Sequence, residues 1–136
     1  MYCSETQLRV RYAETDRMGY VYYANYAVYY EVARVEALRE IGFNYKELED
    51  NGILLPVLSF NIKFFKPGFY DDVITIKTTI KKMPSVRIHF DYEAYNQNKE
   101  LLNTGEVTLV FIDKKKNKPC PPPEEFLKMM KKYFEK

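Results

Sequence analysis

The sequence predicts an α+β domain in which one antiparallel sheet wraps around a single long central helix, and three features point to it. Over residues 24–41 the apolar positions Tyr26, Tyr30, Ala33, Ala37 and Ile41 fall three and four apart, the spacing of one helix face. Four strand-like runs follow, at residues 55–65, 73–82, 86–95 and 101–112, rich in β-branched and aromatic residues. The segments between them are short, so a helix with one apolar stripe and a sheet with one apolar face must bury each other in one core.

Residues 6–12 alternate, with Leu8, Val10 and Tyr12 on one face and Gln7, Arg9 and Arg11 on the other, as in a half-buried strand. A glycine turn at Gly19 leads into the long helix, which Gly42 ends. Residues 45–51 suit one or two further helical turns before Gly52. The strand runs are separated by Lys66-Pro67-Gly68, Met83-Pro84 and Asn96-Gln97-Asn98-Lys99, turn chemistry that predicts antiparallel pairing of successive strands. The third run alternates most cleanly, Val86, Ile88, Phe90, Tyr92 and Ala94 against Arg87, His89, Asp91 and Glu93. Residues 113–118, DKKKNK, read as a solvated turn, residues 119–123 as a stiff proline-rich extension and residues 124–133 as a terminal helix with acidic residues at its start. No internal repeat is present, and residues 1–136 read as one domain.

Composition narrows the function classes. With 21 Lys+Arg against 19 Asp+Glu the net charge is only +2, unlike the strongly basic face of a nucleic-acid binder. The 2 cysteines, Cys3 and Cys120, form neither a disulfide framework nor a zinc motif, which points to the cytosol. The N-terminus lacks a basic segment followed by an apolar run, and no stretch approaches the roughly 20 apolar residues of a membrane span, so a soluble cytoplasmic protein is expected. With 9 Phe, 13 Tyr and no Trp, the core must be built largely from these two aromatics.

The chemistry concentrates in residues 12–34, YAETDRMGYVYYANYAVYYEVAR, where Asp16 and Gly19 precede the long helix. Backbone N–H groups at a helix start lack intrahelical partners and can polarise a carbonyl or hold an anion. A carboxylate beside them outlines a reaction site, although aspartate is also a common capping residue there. Glu14, two residues upstream, is the rival carboxylate. Tyr22, Tyr23, Tyr26, Tyr29 and Tyr30 suit core packing first and an aromatic pocket second. Glu31 and Arg34 are spaced to form an ion pair, and Asn25 to satisfy backbone at the helix start. Ser59 and Asn61 read as exposed strand polars. Lys114, Lys115 and Lys116 read as a solvated run. The single histidine, His89, reads as a surface residue without ligand partners, and no metal site is assigned.

The same residues resemble the hot-dog-fold acyl-CoA thioesterases of the 4-hydroxybenzoyl-CoA thioesterase type, near the small bacterial subgroup associated with the Tol-Pal gene cluster. The resemblance rests on Tyr12, Glu14-Thr15-Asp16, Gly19, Val21-Tyr22, Asn25-Tyr26 and Glu31-Val32-Ala33-Arg34, with a secondary match at Pro67 and Asp71-Asp72-Val73. The subgroup commonly carries His after Val-Tyr, where this chain has Tyr23, as the aromatic-acyl thioesterases do. The resemblance implies hydrolysis of an acyl-CoA thioester to a carboxylic acid and CoA, with Asp16 as nucleophile or general base and the Tyr23 backbone N–H as donor to the thioester carbonyl. It implies that CoA is part of the substrate and that no separate cofactor is used. It places CoA-binding cations near the turn between the second and third long strands, at Lys81, Lys82 and Arg87, with Lys63 and Lys66 as further candidates. Each site would lie between protomers of a homodimer or homotetramer, and an acyl carrier protein is an alternative thioester donor to CoA. A dehydratase is disfavoured because His89 lies far along the chain from Asp16. A non-catalytic acyl-thioester binding module, or a partner protein in lipid or envelope assembly, is the rival class.

Overall fold

In the computed structural model, which describes residues 1–135, the predicted helical stripe is one buried face of a 16-residue helix. The chain runs β1 (Tyr2–Arg9), a single 3-10 turn (Tyr12–Glu14), α1 (Asn25–Glu40), α2 (Tyr45–Asp50), β2 (Ile53–Leu54), β3 (Val57–Phe64), β4 (Val73–Ile80), β5 (Arg87–Tyr95), β6 (Leu101–Val110), β7 (Ile112–Asp113), β8 (Lys118–Pro119) and α3 (Glu124–Lys131). Five strands form an antiparallel sheet in the order β1-β4-β5-β6-β3, and β2-β7-β8 form a small second sheet. No helix among the described residues is long and apolar enough to cross a membrane.

Alternation along the strands gives the sheet its buried inner face. Ile74, Ile76 and Ile80 of β4, Ile88, Phe90, Tyr92 and Ala94 of β5, and Val107 and Leu109 of β6 are buried with Tyr26, Tyr30, Ala33 and Ala37 of α1. At the centre the Tyr30 ring stacks on Tyr92, with centroids 4.4 Å apart and planes 14° from parallel. The Tyr30 hydroxyl donates to the buried Asn103 Oδ1. Gly105 makes room for this stack, since a Cβ there would sit 2.7 Å from Tyr30 Cε2. Beyond the far end of α1, Phe126 of α3 packs on Phe43 and Phe111 and closes the core.

Several expectations are corrected. The first strand is Tyr2–Arg9 rather than residues 6–12, because Arg11 and Glu14 bond to each other and bend the chain into the 3-10 turn. Tyr12 is therefore exposed instead of facing the core. The run at residues 55–65 is split at Pro56, whose carbonyl accepts from Val110 N, leaving β2 and β3 in different sheets. Residues 101–112 likewise divide into β6 and β7. The turn residues 66–68 do not make a hairpin. β3 pairs with β6, and the segment after Phe64 carries the chain across to β4, which pairs with β1 and β5. Short connections predicted neighbours correctly only for β4–β5–β6. Glu31 makes no ion pair with Arg34 among the described residues; Arg34 Nε instead donates to the Tyr45 hydroxyl at 3.2 Å.

Because the ring under Gly105 is locked between Tyr92 and Asn103, Gly105→Ala is expected to destabilise the fold by about 1–3 kcal/mol, the cost of overpacking a filled core. A urea titration would show this as a lower midpoint at unchanged slope.

Candidate active site

The segment between β1 and α1 is organised by Glu14. Its carboxylate accepts from Arg11 N at 2.9 Å, Arg11 Nη2 at 2.9 Å and the Tyr29 hydroxyl at 3.0 Å. Its backbone carbonyl accepts from Tyr22 N at 2.9 Å and Asn25 Nδ2 at 2.8 Å. Burial alone would raise the Glu14 pKa, but the hydrogen bonds from Arg11 and Tyr29 and the nearby guanidinium outweigh it and hold the carboxyl below its ordinary value. Burial and the Glu14 carboxylate push the Tyr29 phenol up in turn. Glu14 thus stays ionised and ties the incoming loop to the first turns of α1, with both oxygens engaged.

Asp16 is held differently. Its N–H donates to Tyr20 O at 2.8 Å, and Oδ1 accepts from Met18 N at 2.9 Å and Tyr20 N at 3.1 Å. This tight turn passes through Gly19 at φ +83, a conformation that glycine adopts without strain. Asp16 Oδ2 has no hydrogen-bond partner among the described residues. Nearby, Asn25 N donates to Tyr22 O, Tyr26 N to Tyr23 O and Ala27 N to Ala24 O. The N–H groups of Tyr23 and Ala24, just ahead of these, donate to nothing among the described residues; Ala24 is the N-cap of α1 and Tyr23 the residue before it.

Asp16 and Tyr23 line the same cleft of about 310 Å³, in the size range of small-molecule sites. Tyr20, Val21 and Tyr26 extend their wall, and Phe64, Phe65 and the turn at Lys66, Pro67 and Gly68 form the opposite one. The walls meet where Val21 N donates to Gly68 O at 2.8 Å. A Cβ on Gly68 would lie 2.8 Å from the Tyr26 hydroxyl and 3.2 Å from Val21 Cγ2, so only glycine permits this approach. The Tyr26 phenol is pushed up to about 12, chiefly by burial, and stays neutral as part of the wall. The cleft is open along β3, where Phe64 and Phe65 are 48% and 58% exposed. A second groove of about 190 Å³, bordered by Tyr30, Arg34, Val57 and Phe60, continues the seam between α1 and β3.

Of the cations marked from the sequence, Lys66 lines the Asp16 cleft and pairs with Glu100. Lys63 and Lys81 lie in a depression on the outer sheet face, where Lys81 Nζ is 3.7 Å from Asp91 Oδ2. Lys82 and Arg87 flank the β4–β5 turn and, within one protomer, border neither region. Ser59 and Asn61 are exposed on β3. Of the Phe64–Gly68 wall, the sequence marked Lys66 as a candidate cation and Pro67 within the secondary match, but not Phe64, Phe65 or Gly68. The Lys66-Pro67-Gly68 turn by itself says nothing about which surface it will face.

A family model described as the Thioesterase-like superfamily matches residues 10–130. The putative acyl-CoA thioesterase YneP of Bacillus subtilis is 37% identical over 119 residues, covering 88% of this chain and 86% of that protein. The acyl-CoA thioester hydrolase YbgC of Escherichia coli is 33% identical over 120 residues, covering 88% and 90% respectively. A solved DHNA-CoA thioesterase from Staphylococcus aureus matches with a TM-score of 0.93 at 34% identity, covering 98% of this chain and 92% of that one. A sheet wrapped around a central helix and these matches agree, and the chain belongs to the thioesterase-like superfamily, with the hot-dog fold.

Proposed function

We propose that this chain is an acyl-CoA thioesterase that hydrolyses its substrate to a carboxylic acid and CoA in the Asp16 cleft. The reading is carried by one juxtaposition: a carboxylate with one oxygen anchored and the other without a partner among the described residues shares an apolar-walled cleft with Tyr23 at the helix entry, whose N–H donates to none of them. The Tyr23 N–H polarises the thioester carbonyl and stabilises the oxyanion that forms there. Asp16 Oδ2 then acts in one of two ways. As nucleophile it attacks the carbonyl carbon and expels the CoA thiolate, and water hydrolyses the resulting anhydride. As general base it takes a proton from a water that attacks the same carbon; collapse expels the thiolate, which leaves as the thiol. Glu14 is unsuited to either role because both its oxygens accept hydrogen bonds from Arg11 and Tyr29. CoA enters as part of the substrate, and no separate cofactor is invoked.

The active unit in this reading is a homodimer or a homotetramer of dimers in the cytoplasm. The β3 edge supports it: Val57, Leu58 and Phe60 are exposed on a strand whose outer backbone groups have no partner strand in one protomer. Pairing two such edges would close the open side of the cleft. Lys81, Lys82 and Arg87 of a second protomer are assigned to the CoA phosphates, with Lys66 of the same protomer at the mouth. The aromatic walls suit an apolar or aryl acyl group, delivered as a CoA thioester or on an acyl carrier protein.

Thiol release from a panel of short, long and aromatic acyl-CoAs tests the reaction. Asp16→Asn keeps an acceptor for Met18 N and Tyr20 N but loses the charge, and kcat is expected to fall about 100-fold or more. A wild type that binds CoA yet hydrolyses nothing in the panel would instead make the chain a binding module. Tyr23→Pro removes an N–H that donates to nothing among the described residues, and is expected to lower kcat by about 100-fold or more, whereas Tyr23→Ala keeps most activity. Leu58→Glu places a charge on the exposed β3 edge. It is expected to convert the assembly to monomers by light scattering and to lower activity with it; a fully active wild-type monomer would remove the shared site.

A further inference from the structure

The outer face of the sheet, opposite the one covered by α1, carries a cluster the thioesterase reading does not use. Antiparallel pairing of β5 with β6 sets Asp91 directly across from Glu106, a like-charge cross-strand pair that is unfavourable without a cation between them. His89 lies two residues before Asp91 on the same face. Its Nε2 is 3.5 Å from Asp91 Oδ1 and 3.6 Å from Glu106 Oε2. On the other side of the ring, Nδ1 is 2.7 Å from Thr108 Oγ1, a contact that orients the imidazole with Nε2 towards the two carboxylates. Lys81 Nζ approaches the other Asp91 oxygen, Oδ2, at 3.7 Å.

We infer that His89, Asp91 and Glu106 form a binding site for a divalent transition metal of the zinc class. One donor atom from each side chain lies within 4.8 Å of the other two. A tetrahedral zinc ion with bonds of about 2.1 Å has ligand–ligand edges of about 3.4 Å. The two edges to His89 already have that length to within a few tenths of an ångström, and the carboxylate–carboxylate edge closes by side-chain rotation on a solvent-facing surface. An imidazole with two monodentate carboxylates matches zinc and its neighbours, whereas magnesium and calcium call for six or more oxygen ligands. Water completes the fourth position. The bound ion replaces a repulsive pair by a clip between β5 and β6, on the face of the sheet opposite the Asp16 cleft, and the site stands independently of the hydrolase reading.

The chain has 1 histidine, so the imidazole proton resonances of the full-length protein report on this site without ambiguity. Titrating metal-free protein with Zn2+ is expected to move those resonances to a plateau at one equivalent, with one calorimetric binding event and a higher thermal midpoint. Mg2+ at the same concentration should do none of these. His89→Gln and Glu106→Gln are each expected to weaken Zn2+ binding by about tenfold or more while the circular dichroism stays unchanged, and Cys3→Ser should bind as the wild type does. No displacement of the His89 resonances at about millimolar Zn2+, or undiminished binding in both Gln variants, would overturn the assignment.

Discussion

The fit of the Tyr30 ring between Tyr92 and Gly105 fixes the position of α1 in the sheet, and the rest of the molecule depends on it. A tyrosine this large, buried in the middle of a helix, leaves no freedom to slide or rotate the helix against the strands. The start of α1 is thereby set in space, and with it the direction in which the N–H groups of Tyr23 and Ala24 point. Asn103 accepts the Tyr30 hydroxyl, so the register is specified by a buried polar contact as well as by packing.

Two carboxylates two residues apart divide the work at that helix start. Glu14 joins the 3-10 turn, Tyr29 and the Arg11 backbone, and its ionised form is favoured by every partner it has. Asp16 uses one oxygen to stabilise its own turn, and the other has no hydrogen-bond partner among the described residues. The proposed role of Asp16 would need both properties, because an unanchored carboxylate is misplaced and a fully bonded one is inert. Glu14 supplies rigidity so that Asp16 need not be fully bonded itself.

The open side of the cleft and the apolar β3 edge are the same surface. Among the described residues β3 pairs with β6 alone, and it exposes Leu58, Phe60 and Phe64. An edge strand of this kind is a liability on a solitary protomer and an asset in a symmetric pair, where one contact would satisfy the strand and wall the cleft. On the outer face a different consequence of pairing appears: Asp91 and Glu106, 15 residues apart in the chain by their numbers, are brought opposite each other beside His89.

Much of this was legible in the chain. Helical periodicity from Tyr26 to Ile41, the alternation of residues 86–95, and the Asp16–Gly19 turn ahead of the helix are local patterns, because helix and strand periods and turn dihedrals are properties of neighbouring residues. The resemblance in residues 12–34 was legible for the same reason, since that part of the site is one contiguous segment. Strand order was not. Residues 66–68 look like a hairpin turn, yet β3 finds its partner in β6, because the sheet must curl around α1 and the edge that results is a global property. The Phe64–Gly68 wall and the gathering of His89, Asp91 and Glu106 depend on which strands lie side by side, and the loss of the Glu31–Arg34 pair to Tyr45 depends on how α2 folds back against α1. Sequence determined the elements and the chemistry of the helix start, while tertiary packing alone decided what each of them faces.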